Sequence, residues 1–285
     1  MKTTMGWLCL AGMLVAGVAM ARPEEPPAEP VPAHHVFTLK SSKLKETRRI
    51  SVYTPPGYGE TKGERYPVLY MPDGGLKEDF PHVATTVDTA IRAGEMRPLI
   101  VIGIENTERR RDMTGPTTVE EDRKIAPRVG GSAAFRAFIR HELMPYVRRH
   151  YRGTGETAIV GESLAGLFIV ETFFLEPELF DTYLALSPSL WWNGGELVAK
   201  AGERLAARKS LSRALYLSSA DEDNIVPEVA RLGELLRAGA PAGLKWEVEP
   251  RPDLRHDNIY RASAPALLRK WFPPMKGEGK AKAGP

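Results

Sequence analysis

Ser163 lies in Gly161-Glu-Ser-Leu-Ala-Gly166, directly after the apolar run 157–160 and before a second apolar run of helical spacing. A serine hydroxyl is a weak nucleophile until it is held rigidly beside a base. A sharp strand-to-helix turn bounded by small residues lifts such a side chain clear of a sheet. The base must titrate near neutrality, which points to histidine. Of the six histidines, His34 and His35 precede the core, His82 and His141 fall in helical patterns, and His150 stands near a helix C-terminus where its charged form suits the dipole. His256 differs: it follows the last strand pattern in the irregular Arg-Pro-Asp-Leu-Arg-His segment, just before Asp257, a cap for the final helix.

A third group, a carboxylate between the serine and the histidine in chain order, would fix the imidazole tautomer and stabilise its charged form. Asp221, Glu222 and Asp223 all crowd the loop after the strand pattern 214–217. A tetrahedral intermediate needs backbone donors aimed at its oxyanion. One is the amide of Leu164; for the other, the loop Met71-Pro-Asp-Gly-Gly75 offers Gly74 or Gly75, with little side-chain bulk. The chemistry these residues suit is acyl transfer through a covalent serine intermediate.

The elements that must position them alternate along the chain. Strands are predicted over 35–39, 49–53, 68–71, 99–104, 157–160, 183–186, 214–217 and 245–248, and helices over 79–93, 132–150, 164–175, 195–207, 228–238 and 258–271. In the second helix, Phe135, Phe138, Ile139, Leu143, Tyr146 and Val147 share a stripe, with Ser132 placed to cap it. Two strands followed by alternation imply a mostly parallel α/β sheet with an antiparallel start and helices on both faces. Ligands then bind beyond the carboxyl ends of the strands, where these loops lie.

At 285 residues and 42% hydrophobic, the chain has enough apolar material for one sizeable core. Residues 1–21 read as a secretory signal closing on Ala19-Met-Ala21, residues 22–33 as a proline-rich linker, 34–274 as the folded domain and 275–285 as a disordered basic tail. The protein is therefore expected to be exported, periplasmic or secreted, with no stable membrane insertion after cleavage. Cys9, the single cysteine, falls in the signal, so the mature chain would hold no disulfide, Cys-ligated zinc or Cys nucleophile. Net charge is +3 with dispersed positive residues, which argues against a nucleic-acid partner. No metal-ligand cluster, phosphate-binding loop or dinucleotide fingerprint is present, so no cofactor is expected.

Together these residues resemble the "Putative esterase" family of α/β-hydrolases, which includes esterase-D-like enzymes, feruloyl esterases and trilactone siderophore esterases. The matching segments are Pro67-Val-Leu-Tyr-Met-Pro-Asp-Gly74, Glu142-Leu-Met-Pro-Tyr146, the Ser163 hexapeptide and Ser187-Pro-Ser-Leu-Trp-Trp192. Asn106-Thr-Glu-Arg-Arg-Arg-Asp-Met-Thr114 is similar to a loop near the substrate in the siderophore branch. The resemblance implies the α/β-hydrolase fold and hydrolysis of a small-molecule or glycan ester, with Ser163 as nucleophile and His256 as base. It also selects Asp223 as the acid, because Asp-x-x-Val-Pro resembles the acid loop of many α/β-hydrolases; Asp221 and Glu222 stay open. It brings Arg109 and Arg111 near the pocket. Physically, the polar stretch from Arg109 to Gly131 reads as a lid presenting guanidinium groups to an anionic substrate. Trp191 and Trp192 suit an aromatic rim, with one of them serving as packing. A sugar hydroxyl can capture the same acyl-enzyme in an acyltransferase, and a non-catalytic ligand-binding relative would share the fold. Neither the substrate nor the oligomeric state is legible.

Overall fold

The computed structural model describes residues 30–275. The expected export signal, residues 22–29 of the linker and the tail beyond Met275 lie outside them. All eight predicted strands are present: β1 (His34–Ser41), β2 (Glu46–Tyr53), β3 (Tyr66–Pro72), β4 (Ile100–Ile104), β5 (Gly153–Glu162), β6 (Thr182–Leu186), β7 (Ala214–Ser219) and β8 (Lys245–Pro250). They form one sheet in the order β1-β2-β4-β3-β5-β6-β7-β8. The β1–β2 and β2–β4 pairs are antiparallel and the other five are parallel. Every residue of β3 and β4 is buried, as expected of central parallel strands covered on both faces.

Alternation along the strands sends side chains to two cores. Leu69, Met71, Leu99 and Val101 pack beneath α1 (Phe80–Arg92) on one face, together with the last helix of the chain. On the other face Tyr70, Ile100, Ile102 and Ile104 meet the remaining helices. Between β4 and β5 come the short α2 (Arg109–Met113) and α3 (Glu120–Lys124), then α4 (Ser132–Phe138), a π-turn at Ile139–Leu143, and α5 (Met144–His150). The central helix α6 (Leu164–Leu175) is buried at all but Glu171 and Leu175, so its apolar residues run all round rather than along one stripe. α7 (Trp192–Ala199), α8 (Ala201–Ala206), α9 (Val226–Gly239) and α10 (Ile259–Trp271) complete the layers.

Three local expectations are corrected. The predicted helix 132–150 is interrupted by the π-turn, and Ser132 sits inside α4, buried, with Gly131 at the cap position. The predicted helix 195–207 begins at Trp192, kinks within its first turn where Asn193, Gly194 and Gly195 have φ of 51°, 63° and 75°, and divides at Lys200 into α7 and α8. At the last helix, Asn258 rather than Asp257 holds the cap position.

Gly74, where β3 runs into its loop, presses against β4. A Cβ there would fall 2.2 Å from Ile104 N and 2.3 Å from Gly103 Cα. Backbone cannot rotate away as a side chain can, so Gly74→Ala is expected to destabilise the fold by about 2 kcal/mol or more. A urea midpoint equal to that of the parent protein would show that the loop yields instead.

Candidate active site

Ser163 occupies the junction of β5 and α6 with φ 60° and ψ −120°. A non-glycine residue there carries strain of about 1–3 kcal/mol, which the surroundings must over-determine. They do so through backbone bonds: Ser163 N–H donates to Leu186 O (3.0 Å), and Ser163 O accepts from Leu167 N (2.9 Å) and Ser189 N (3.0 Å). The small flanking residues are needed for space. A Cβ on Gly161 would lie 2.7 Å from Ala165 Cβ, and one on Gly166 would lie 2.9 Å from Pro188 Cα.

The loop after β8 brings His256 across the sheet end, and its Nε2 stands 3.0 Å from Ser163 Oγ. Ser189 Oγ is 3.4 Å from the same oxygen. The imidazole is partly exposed (43%), with its other nitrogen turned inward to carboxyl groups. Glu222 Oε2 lies 2.6 Å from Nδ1, in an ion-pair contact oblique to the ring N–H.

The carboxylate beside His256 is thus that of Glu222 and not that of the expected Asp223. The backbone explains why: Asp221 N–H donates to Leu254 O (2.9 Å), which ties the loop after β7 to the loop carrying His256. Glu222, next in the chain, turns inward and is 14% exposed, while Asp221 and Asp223 point to solvent. Ile225 N and Val226 N then bond back to Glu222 O as the chain enters α9.

Sequence reasoning also passed over Glu162, which immediately precedes the serine. Its Oε1 is buried without a hydrogen-bond partner, 4.0 Å from His256 Nδ1. Burial first, and then the negative charge of Asp79, push its carboxyl up to about 8 against the opposing pull of Arg109.

The amide of Leu164, one of the expected oxyanion donors, opens α6, where helical geometry provides no intrahelical acceptor. Gly74 and Gly75 do not supply the second donor as placed. Gly74 N–H donates to Ile104 O (3.0 Å), and Gly75 N–H donates to Glu78 Oε2 (2.7 Å).

Residues 41–258 match the family described as "Putative esterase". The chain belongs to that family. The match contains Ser163, Glu222 and His256 within one continuous stretch. Among similar proteins is the ferri-bacillibactin esterase BesA of Bacillus subtilis (strain 168), 29% identical over 63% of this chain and 66% of its own length. A siderophore enterobactin esterase of Emericella nidulans is 30% identical over 57% of each chain. This chain thus spans 66% and 57% of the lengths of these two relatives. An IroE-like serine hydrolase from Shewanella oneidensis superposes with a TM-score of 0.78 at 26% identity, covering 84% of this chain and 80% of that one. The fold is that of the α/β-hydrolases.

In this esterase-family chain the two arginines expected to face substrate are already paired. Arg109 makes a bidentate contact with Asp73 (2.7 and 2.9 Å), and Asn106 Nδ2 donates to the same carboxylate. Arg111, 13% exposed, is shared among Glu46, Asp112 and Glu108. Arg110 and Arg123 instead donate to the carbonyls of Ile125 and Thr117, and neither has a carboxylate partner among the described residues. They line two neighbouring cavities of about 630 and 660 Å³, to which Arg111 and Arg128 also contribute. Trp192 is buried and donates Nε1–H to Gly115 O (2.9 Å), so it packs against the segment after α2; Trp191 is half-buried against the core. Neither tryptophan lines the arginine cavities.

Arg111 also belongs to a buried charge network. Arg48 and Asp112, both with fully buried side chains, pair at 2.5 Å, and Arg48 reaches Glu46 at 2.8 Å. Burial acts to raise the Glu46 pKa, but hydrogen bonds from Arg111, Thr107 and Arg48 outweigh it and hold the carboxyl at about 2. A folded value below the ordinary 4.5 means that Glu46 contributes stability above pH 4.5, which is lost as the pH falls toward 2. Melting curves between pH 2 and 6 should therefore show Glu46→Gln well below the parent at pH 6 and converging with it near pH 2. A constant gap would show that the Glu46 charge contributes nothing.

Proposed function

We propose that this chain is a serine carboxylesterase acting through an acyl-enzyme. The observation that carries the reading is the 3.0 Å contact between Ser163 Oγ and His256 Nε2 at a positive-φ strand-to-helix turn. In the first half-reaction Ser163 Oγ attacks the ester carbonyl as His256 Nε2 takes its proton, and the Glu222 carboxylate steadies the imidazolium from the Nδ1 side. The Leu164 amide faces the developing oxyanion. The imidazolium then protonates the departing alkoxide, and water repeats the sequence to release the acid from Ser163.

For substrate, the reading is a siderophore ester presented as its anionic ferric complex. Similarity to two siderophore esterases supports it. Residues 1–21 would direct export, and among the described residues no helix is long and apolar enough to cross a membrane.

A fluorophosphonate probe should label the parent protein and spare Ser163→Ala; equal labelling of both would remove the serine mechanism. A panel of ferri-bacillibactin, ferri-enterobactin, ethyl ferulate and acetylated xylan then tests the substrate. Preference for ferulate or xylan would overturn the siderophore assignment and leave the chemistry standing.

A further inference from the structure

The His256 ring faces two carboxyl groups on its Nδ1 side, and they come from different strand ends. Glu222 approaches from the loop after β7, at 2.6 Å. Glu162 approaches from the last residue of β5, at 4.0 Å, with its Oε1 buried and bonded to nothing. The mechanism above uses only the first. A carboxyl group buried beside the nucleophile costs stability unless something compensates it, so its placement calls for an account.

We propose that Glu162 is a positioning residue, a second carboxyl that shares the Nδ1 side of His256 with Glu222 and supports the imidazolium when Glu222 is lost. The proposal rests on the serine-esterase reading. The backbone of Glu162 is fixed by its place at the end of β5, paired with Leu186 and next to the Ser163 turn. The groups facing it set its charge: Asp73 and Asp79 from the segment between β3 and α1, Glu222 from the loop after β7, and Tyr260 from α10, whose buried hydroxyl has no partner. Arg109 from α2 and His256 itself are the opposing groups. Three carboxylates against one guanidinium, in a buried position, keep a proton on Glu162 at neutral pH, and its pKa of about 8 places the release of that proton in the mildly alkaline range.

The sign of the effect follows. Losing that proton adds a negative charge near Nδ1, which favours the imidazolium over the neutral ring and makes His256 a stronger base toward Ser163. In the parent protein Glu222 already does this, so the contribution is small. In Glu222→Gln it becomes the main source of support. Glu222→Gln removes one of the charges that hold the Glu162 proton, so that proton leaves at a lower pH than in the parent, and kcat/KM on p-nitrophenyl acetate is expected to recover by about tenfold or more as the pH rises from about 6 to 9, relative to Glu222→Gln/Glu162→Gln over the same range. Glu162→Asp in the Glu222→Gln background should restore part of the recovery, which a purely structural role for Glu162 would not produce.

A second readout needs no turnover. With ¹⁵N-labelled histidine in the Ser163→Ala protein, the His256 Nδ1 resonance should show an extra titration step near pH 8, and the step should vanish in Ser163→Ala/Glu162→Gln. Identical alkaline recovery with and without Glu162, or no extra step, would overturn the proposal. Full turnover by Ser163→Ala would instead bring down the esterase reading, and the resonance titration separates the two failures.

Discussion

Ser163→Ala is expected to lower kcat/KM on p-nitrophenyl acetate by about 10⁵-fold or more. The size of the effect comes from the unit rather than the atom. Without Oγ there is no acyl acceptor, His256 Nε2 has no proton to take, and the strained turn that delivers the side chain serves nothing. Residual turnover should come only from binding and the Leu164 amide. Because Ala tolerates a positive φ no better than Ser, the variant should fold as the parent does, and melting within about 2 °C of the parent would confirm that the loss is chemical. Retention of more than about a tenth of the activity would exclude Ser163 as nucleophile.

The second large effect separates two neighbouring acids. At pH 6.5, Glu222→Gln is expected to lower kcat by about 10³ to 10⁴, whereas Asp223→Asn should stay within about twofold of the parent. The asymmetry follows from the 2.6 Å contact of Glu222 with Nδ1 and from the solvent-facing position of Asp223. An amide in place of the Glu222 carboxylate can hydrogen-bond the ring but cannot offset the charge that develops on it. The pH matters, because in the parent Glu162 still holds its proton at 6.5 and adds no charge of its own. A collapse of activity in Asp223→Asn with Glu222→Gln unharmed would return the acid to position 223.

How much of this was legible in the sequence depends on the range over which each feature is determined. The eight strands and the serine turn are local matters: apolar runs bounded by Gly, Pro and polar clusters, and two glycines whose missing Cβ atoms make room for Ala165 and Pro188. The pairing of Ser163 with His256, 93 positions apart, was readable because parallel sheets gather strand-end loops at one edge. Which acid faces His256 was not readable. Three consecutive acidic residues carry no mark of which turns inward, and that choice is made by a bond from Asp221 N–H to a carbonyl on another loop. The pairing of the arginines was hidden for the same reason. Arg109 and Arg111 looked free in sequence, but their partners Asp73 and Glu46 lie 36 and 65 positions away. The slenderness of the β3-loop glycines is visible in sequence, but what uses their amides, Ile104 O and the Glu78 side chain, is again a tertiary matter.

The tie between the loops of Glu222 and His256 is made by main-chain atoms, Asp221 N–H to Leu254 O. A link of that kind is indifferent to what the two side chains are. Homologous chains are thus free to vary at 221 and 254 while the histidine and its acid stay aligned, and proline at 221 is the substitution that removes the donor outright. Drift in residue type at these two positions would then carry no information about loss of function.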